Sequence, residues 1–248
     1  MKILEFGNKS KPKLLLIHGF QSPWQVWDEY IKHYQNDFHI IVPVLTGHDI
    51  DRKEDFVSFD DEEEVIEEFV IDHCNNIHAA FAMSMGGVLA AKLWQNQVIT
   101  IERVFDGSPL VSINGFVKSY MQKFYLRVTH KTQQHDQRTI RQASGSIISE
   151  EHLSDFVHVL ENMSDRTVIN CINEIAGYKL ETGIDTPETS LYYFHGTGPS
   201  EMLAKKTAKY LKKHYPTTTV TCFDGKAHCE NSLIHPDVMI AELDKIIL

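Results

Sequence analysis

Short β-rich runs alternate with helical patterns along most of this chain, and that alternation is its strongest constraint. The strand patterns are Ile3–Phe6, Lys13–His18, Phe38–Val42, Ile77–Met83, Ile101–Phe105, Leu191–Phe194 and Thr218–Phe223. Helical patterns sit between and after them, over Trp24–Tyr34, Glu62–Cys74, Met85–Asn96, Ala204–His214 and Pro236–Ile247. Strand, helix, strand, helix requires crossover connections, so the strands run parallel and the helices cover both faces. The expected fold class is α/β, a mostly parallel sheet of about seven strands. Within it, Gly7-Asn8-Lys9-Ser10 between the first two runs reads as a hairpin turn, and Pro43 reads as the end of the third strand.

One stretch departs from the alternation. Residues 107–190 hold helical patterns, Phe116–Val128, Gln133–Ala143, Glu150–Asn162 and Asp165–Ala176, and no convincing strand. That is too long for a loop. The expectation is one domain over residues 1–248, carrying a helical cap inserted at 107–190. Phe116, Tyr120 and Phe124 recur at helical spacing in the insertion. The stripe is expected to pack on the sheet end and to supply part of a pocket wall.

Charge narrows the classes of partner. The chain has 24 Lys+Arg against 34 Asp+Glu, a net charge of −10, which disfavours nucleic acid and anionic membrane surfaces. No apolar stretch approaches the roughly 20 residues that span a bilayer, so no stable membrane insertion is expected. Met1–Phe6 holds too short an apolar run for a signal peptide. Cys74, Cys171, Cys222 and Cys229 are scattered without a CxxC, and they read as reduced thiols of a cytoplasmic protein. The acidic run Asp60–Glu64 reads as a solvated first turn of a helix. Fourteen histidines show no HExxH and no metal-ligand spacing, and no phosphate-cradling glycine loop is present, so neither a metal nor a nucleotide cofactor is expected.

The chemistry concentrates where the fourth strand ends, at Ala82-Met83-Ser84-Met85-Gly86-Gly87, with a helix following at once. A tight strand-to-helix turn holds its central residue in strained geometry with the side chain pointing out, and needs small neighbours two positions either side. Ala82 and Gly86 are those neighbours, and the helix N-terminus after Ser84 offers free N–H groups to a developing anion.

These residues resemble the nucleophile elbow G-x-S-x-G of the α/β-hydrolase superfamily, with Ala82 at the first glycine position. Leu15-Leu16-Ile17-His18-Gly19-Phe20 is similar to the family's strand followed by His-Gly-x, and Pro43–His48 to its P-x-x-x-G-H turn. The resemblance implies an oxyanion hole made by the backbone amides of Phe20 and Met85, with His18 and His48 structural. It places the catalytic histidine after the last strand, at His228, and the nucleophile at Ser84. Its acid is expected after the sixth strand as G-x-x-D or G-x-x-E, but Gly196-Thr197-Gly198-Pro199 puts a proline there. Glu201, two residues late, is the first choice. Asp106, at the end of the strand after the elbow helix, is the alternative. Asp185 falls too early, before the strand, and Glu230 reads as a helix-entry residue. His195 reads as structural. Trp24, beyond the oxyanion loop, is a candidate for the substrate pocket or for a helix-face core. The implied activity is hydrolysis of a small carboxylic ester by a carboxylesterase-like enzyme without cofactor. Thioesterase, monoacylglycerol lipase and peptidase chemistry on the same machinery, or a non-catalytic binder on the same fold, are the alternatives. A serine in place of aspartate at the elbow argues against haloalkane dehalogenase and epoxide hydrolase chemistry.

Overall fold

A computed structural model describes residues 1–74, 76–97, 99–184 and 190–248. Asp185 lies outside the described residues. Seven strands among them form one sheet: β1 (Lys2–Gly7), β2 (Lys13–Ile17), β3 (His39–Val44), β4 (Ile77–Met83), β5 (Ile99–Asp106), β6 (Ser190–Gly196) and β7 (Thr219–Phe223). Their order is β1-β3-β2-β4-β5-β6-β7. β1 runs antiparallel to β3 and the other pairs are parallel.

The first two strands are therefore not a hairpin. Leu14, Leu15, Leu16 and Ile17 are fully buried, each worth about 1.5–3 kcal/mol out of water. Such a run needs neighbours on both sides, and β2 takes them from β3 and β4. β1 is only partly buried and takes the edge. Pro43 does not end its strand either. β3 continues to Val44, because its pairing with β2 stops at Ile41 and β1 alone flanks the proline.

Alternation along β2 supplies both faces of the sheet. Leu15 and Ile17 join one core with α2 (Phe59–His73), α3 (Met85–Gln95) and α8 (Met202–His214); Leu14 and Leu16 join the other with α1 (Asp28–Tyr34) and α10 (Pro236–Ile247). Ser58 caps α2 by accepting the Asp61 N–H. The acidic first turn of α2 is not wholly solvated. Glu62 is buried and accepts the Thr46 N–H at 3.1 Å, and buried Glu63 pairs with Lys92 at 3.3 Å.

Between β5 and β6 the described chain forms α4 (Gly115–Gln133), α5 (Gln137–Ala143), α6 (Leu153–Asn162) and α7 (Asp165–Gly177). Backbone bonds from Ile113 to Ala176 and from Leu180 to Leu110 clasp the two ends of this excursion. The aromatic stripe is oriented opposite to expectation. Phe116, Tyr120 and Phe124 are exposed, while Thr129 and Thr132 are buried and Met121 and Tyr125 pack on the core. Helical spacing identifies a face but does not say which way it turns. Among the described residues no helix is long and apolar enough to cross a membrane.

Candidate active site

Ser84 links β4 to α3 with φ 49° and ψ −113°, a left-handed conformation that L residues rarely adopt. Its N–H donates to the Asp106 carbonyl at 2.8 Å, so the strained turn is pinned to the neighbouring strand. Two glycines allow the close approach. A Cβ on Gly86 would stand 2.5 Å from the carbonyl oxygens of Ile17 and His18, and one on Gly87 would collide with the Ser108 side chain. Ala82 is fully buried, with Ile17 and Phe105 as its partners on the two flanking strands.

The loop after β7 brings His228 to this turn. Its Nε2 lies 2.9 Å from Ser84 Oγ, and its Nδ1 lies 2.6 Å from Glu201 Oε1. A carboxylate at Nδ1 requires the proton there, which leaves Nε2 to accept from the serine hydroxyl. Burial opposes charge on His228, but the hydrogen bond and charge of Glu201, with a contribution from Asp106, raise its pKa above the usual histidine value. Burial raises the Glu201 carboxyl, yet the His228 contacts and the Gly196 N–H outweigh it and hold that pKa below the usual value.

The late position of Glu201 has a local cause. The 3₁₀ turn Pro199–Glu201 curls back after Gly198, so that Glu201 Oε2 accepts the Gly196 N–H at 2.9 Å. Ser200 does not cap a helix; its Oγ accepts the His228 N–H at 3.1 Å. The two loops lie so close that a Cβ on Gly196 would stand 2.0 Å from the Lys226 carbonyl oxygen. Glu230 opens the short helix α9 (Glu230–Leu233) and accepts the Ala227 N–H at 2.8 Å, fixing the histidine loop from its far side.

Met85 follows Ser84 at the start of α3, and the residue before Phe20 comes close to the turn. A Cβ on Gly19 would lie 3.5 Å from Ser84 Cβ. Among the described residues no hydrogen bond engages the N–H of Phe20 or Met85. The loop is held from below by two neutral imidazoles. His18 donates from Nδ1 to the Gly19 carbonyl (2.9 Å) and accepts the Leu45 N–H (3.2 Å); burial lowers its pKa to about 4. His48 accepts the Gln21 N–H at 3.0 Å, and burial, then neighbouring His18, lowers it to about 3. Gln21, at φ 58°, also donates from Nε2 to Thr129 Oγ1 of α4 at 2.8 Å. Phe20 packs edge-on against Tyr125. No sequence pattern announces Gln21 and Thr129, because their contact joins segments 108 residues apart.

Asp106 does not meet His228 with its side chain. Ser232 Oγ donates to Asp106 Oδ2 at 2.5 Å, and burial, only partly offset by that bond, pushes the carboxyl up to about 6. Its backbone is closer to the centre, accepting from Ser84 N–H and from Cys229 Sγ (3.3 Å). Gly107 is a third residue that sequence reasoning missed. At φ +63°, a Cβ there would stand 2.5 Å from His228 Cε1; the one local signal is the glycine that directly follows Asp106 at the strand end. His195 donates to the Gly196 carbonyl at 2.7 Å. The structure brings Trp24 to Phe6, with ring centroids 6.0 Å apart. Among the described residues no group of three His, Cys, Asp or Glu is arranged to hold a metal ion.

No family model matches the chain. No curated protein matches it. Solved structures do. A protein provisionally assigned to the alpha/beta hydrolase family from Desulfitobacterium hafniense is similar over 100% of both chains, with TM-score 0.75 and 17% identity. A structure from a study of carboxylesterases of Nitrososphaera gargenis covers 98% of this chain and 92% of its own, with TM-score 0.73 and 13% identity. A bromoperoxidase from Bacillus anthracis covers 97% and 93%, with TM-score 0.72 and 15% identity. Identity this low speaks for architecture, and one architecture hosts several activities. With its seven-stranded sheet and strand order, the chain is built on the α/β-hydrolase fold.

Proposed function

We propose that the protein is a serine hydrolase that cleaves a small carboxylic ester through an acyl-enzyme. The observation that carries this reading is the unbroken line from Glu201 Oε1 through His228 to Ser84 Oγ, with links of 2.6 and 2.9 Å. Ser84 Oγ attacks the ester carbonyl while His228 Nε2 takes its proton. The carbonyl carbon becomes tetrahedral and its oxygen takes the negative charge. The N–H groups of Phe20 and Met85 stabilise that charge, a contribution of roughly 10²–10³ in rate per donor in such sites. Collapse breaks the bond to the alkoxy group, which leaves with the proton from His228. Water then attacks the acyl-serine with His228 again as base, releasing the acid and restoring Ser84. Glu201 keeps the imidazole in the required tautomer and stabilises its cation.

In this reading α4–α7 within residues 107–190 form the cap over the site. The support is local: Tyr125 against Phe20 and Thr129 holding Gln21. Thioesters, monoacylglycerols and peptides present the same electrophilic carbonyl, so the test runs a panel. A fluorophosphonate should label the protein at Ser84, and p-nitrophenyl esters of graded chain length should be hydrolysed with an acyl-enzyme burst. Ser84→Ala should abolish both. A folded protein that neither reacts with the probe nor turns over any ester, thioester or peptide refutes the reading.

A further inference from the structure

Aromatic residues at helical spacing normally turn a helix inward, but α4 does the reverse. Phe116, Tyr120 and Phe124 are 84%, 66% and 44% exposed. Lys123 and Arg127, also exposed, fall on the same outward face by the 100° step of the helix. From Gly115 to Gln133 the sequence holds Lys118, Lys123, Arg127 and Lys131 and no carboxylate, in a chain whose net charge is −10. Two acidic groups of neighbouring helices lie against histidines: Asp165 of α7 is 2.6 Å from His130, and Glu161 of α6 is 3.4 Å from His135, just past the end of α4. Asp136, also past that end, feels the charge of Lys131 but not that of Lys123 or Arg127 on the outward face. Among the described residues none of the four α4 cations forms an ion pair.

The geometry points to an anionic lipid surface as the partner of this face. Aromatic rings settle at the headgroup level, and lysine and arginine beside them reach lipid phosphates. A second copy docked symmetrically would set the same cations against each other. A nucleic acid long enough to pass the helix would meet a strongly acidic body, whereas a flat lipid surface touches the face alone. The net charge therefore misleads about this helix, because repulsion by the body coexists with a local basic and aromatic face. α8 is a natural control. It carries Lys205, Lys206, Lys209, Lys212 and Lys213 and no carboxylate, but its aromatic Tyr210 packs on the core.

The test is sedimentation of the full chain with vesicles and reads binding, so it stands apart from ester hydrolysis. The protein should bind vesicles of two parts phosphatidylcholine to one part phosphatidylglycerol, stay off pure phosphatidylcholine, and release as salt rises. Phe116→Ser/Tyr120→Ser/Phe124→Ser and Lys123→Glu/Arg127→Glu should each lower the partition coefficient at least about tenfold. Lys212→Glu/Lys213→Glu on α8 should change it less than about twofold. Four results overturn the inference: no binding to the anionic vesicles; equal loss in the α8 variant; a dimer that the triple serine variant dissolves; or tighter binding to a single-stranded oligonucleotide than to vesicles.

Discussion

At the end of β6 the chain bends back through Pro199–Glu201 and sends a carboxylate to His228. At the end of β5, one strand over, an equally buried carboxylate turns away to Ser232, and the backbone meets the site instead. The Asp106 carbonyl accepts the Ser84 N–H, and Gly107 leaves room for the His228 ring. One strand end thus acts through a side chain and the other through its main chain. Their electrostatics diverge accordingly. Glu201 faces a group that becomes cationic and is held ionised; Asp106 meets mainly hydroxyl and thiol groups, and burial moves it towards the neutral acid. Proximity to a histidine in the fold does not identify its partner; the hydrogen bond at Nδ1 does.

The sharpest way to break this contrast is to neutralise each carboxylate in turn. Glu201→Gln keeps the shape but removes the charge and disturbs the tautomer of His228, and kcat should fall by roughly 10³–10⁴. Asp106→Asn should leave kcat within about tenfold, since its carbonyl survives the change. Steady-state kinetics on one ester decides, and an inverted ranking would give Asp106 the role of acid.

Gly107→Ala probes the main-chain half of the comparison. The new Cβ would stand 2.5 Å from His228 Cε1 and 2.8 Å from Nδ1, at a φ of +63° that alanine resists. A ring pushed aside by even about 1 Å should lower kcat roughly 10²-fold, with KM changed far less. Retention of wild-type turnover would mean that the β5 end has no hold on the ring.

The contrast also shows what a sequence can and cannot display. The continuous apolar run Leu14–Ile17, buried on both faces, and the Ala82–Gly86 spacing are local, so the sheet and the tight turn were legible. Pairing order is not local: β1 and β2 are neighbours in sequence, yet β3 lies between them. Glu201 looked two residues late because a 3₁₀ turn cannot be read from Gly-Pro-Ser-Glu alone. Ser232, the hydroxyl that the Asp106 carboxylate meets, lies 126 residues away. The direction in which Phe116, Tyr120 and Phe124 face depended on helices packed beneath α4, and no spacing rule carries that information.

Titration extends the comparison to smaller effects. In its proposed role as general base His228 must be neutral, so kcat/KM should rise with pH through a limb placed above pH 6.5, because Glu201 raises that pKa. In Glu201→Gln the two larger raising contributions, the charge and the charged hydrogen bond of Glu201, are gone while burial remains, and the limb should move to lower pH. In Asp106→Asn it should move little, since that carboxyl is only a minor contributor. A pH–rate profile of the three proteins checks all of this, and an acid limb unmoved by Glu201→Gln would contradict the assigned contact.

The smallest expected effect separates the two carboxyls through stability rather than rate. Asp106 is raised from 3.8 to about 6 by burial, so in this range the folded state holds its proton more tightly than the unfolded state does. Its contribution is complete below the unfolded value and is lost as pH rises through about 6. Asparagine keeps an acceptor for Ser232 but cannot ionise. The stability difference should therefore shift in favour of Asp106→Asn by about 2 kcal/mol between pH 4 and pH 8. Glu201 has the opposite sign: its lowered pKa adds stability at neutral pH that is lost on acidification. Denaturant unfolding of wild type, Asp106→Asn and Glu201→Gln across that pH range should give difference curves with opposite slopes. Parallel slopes would mean that the two strand ends share one electrostatic environment, and the distinction between a side-chain end and a main-chain end would fail.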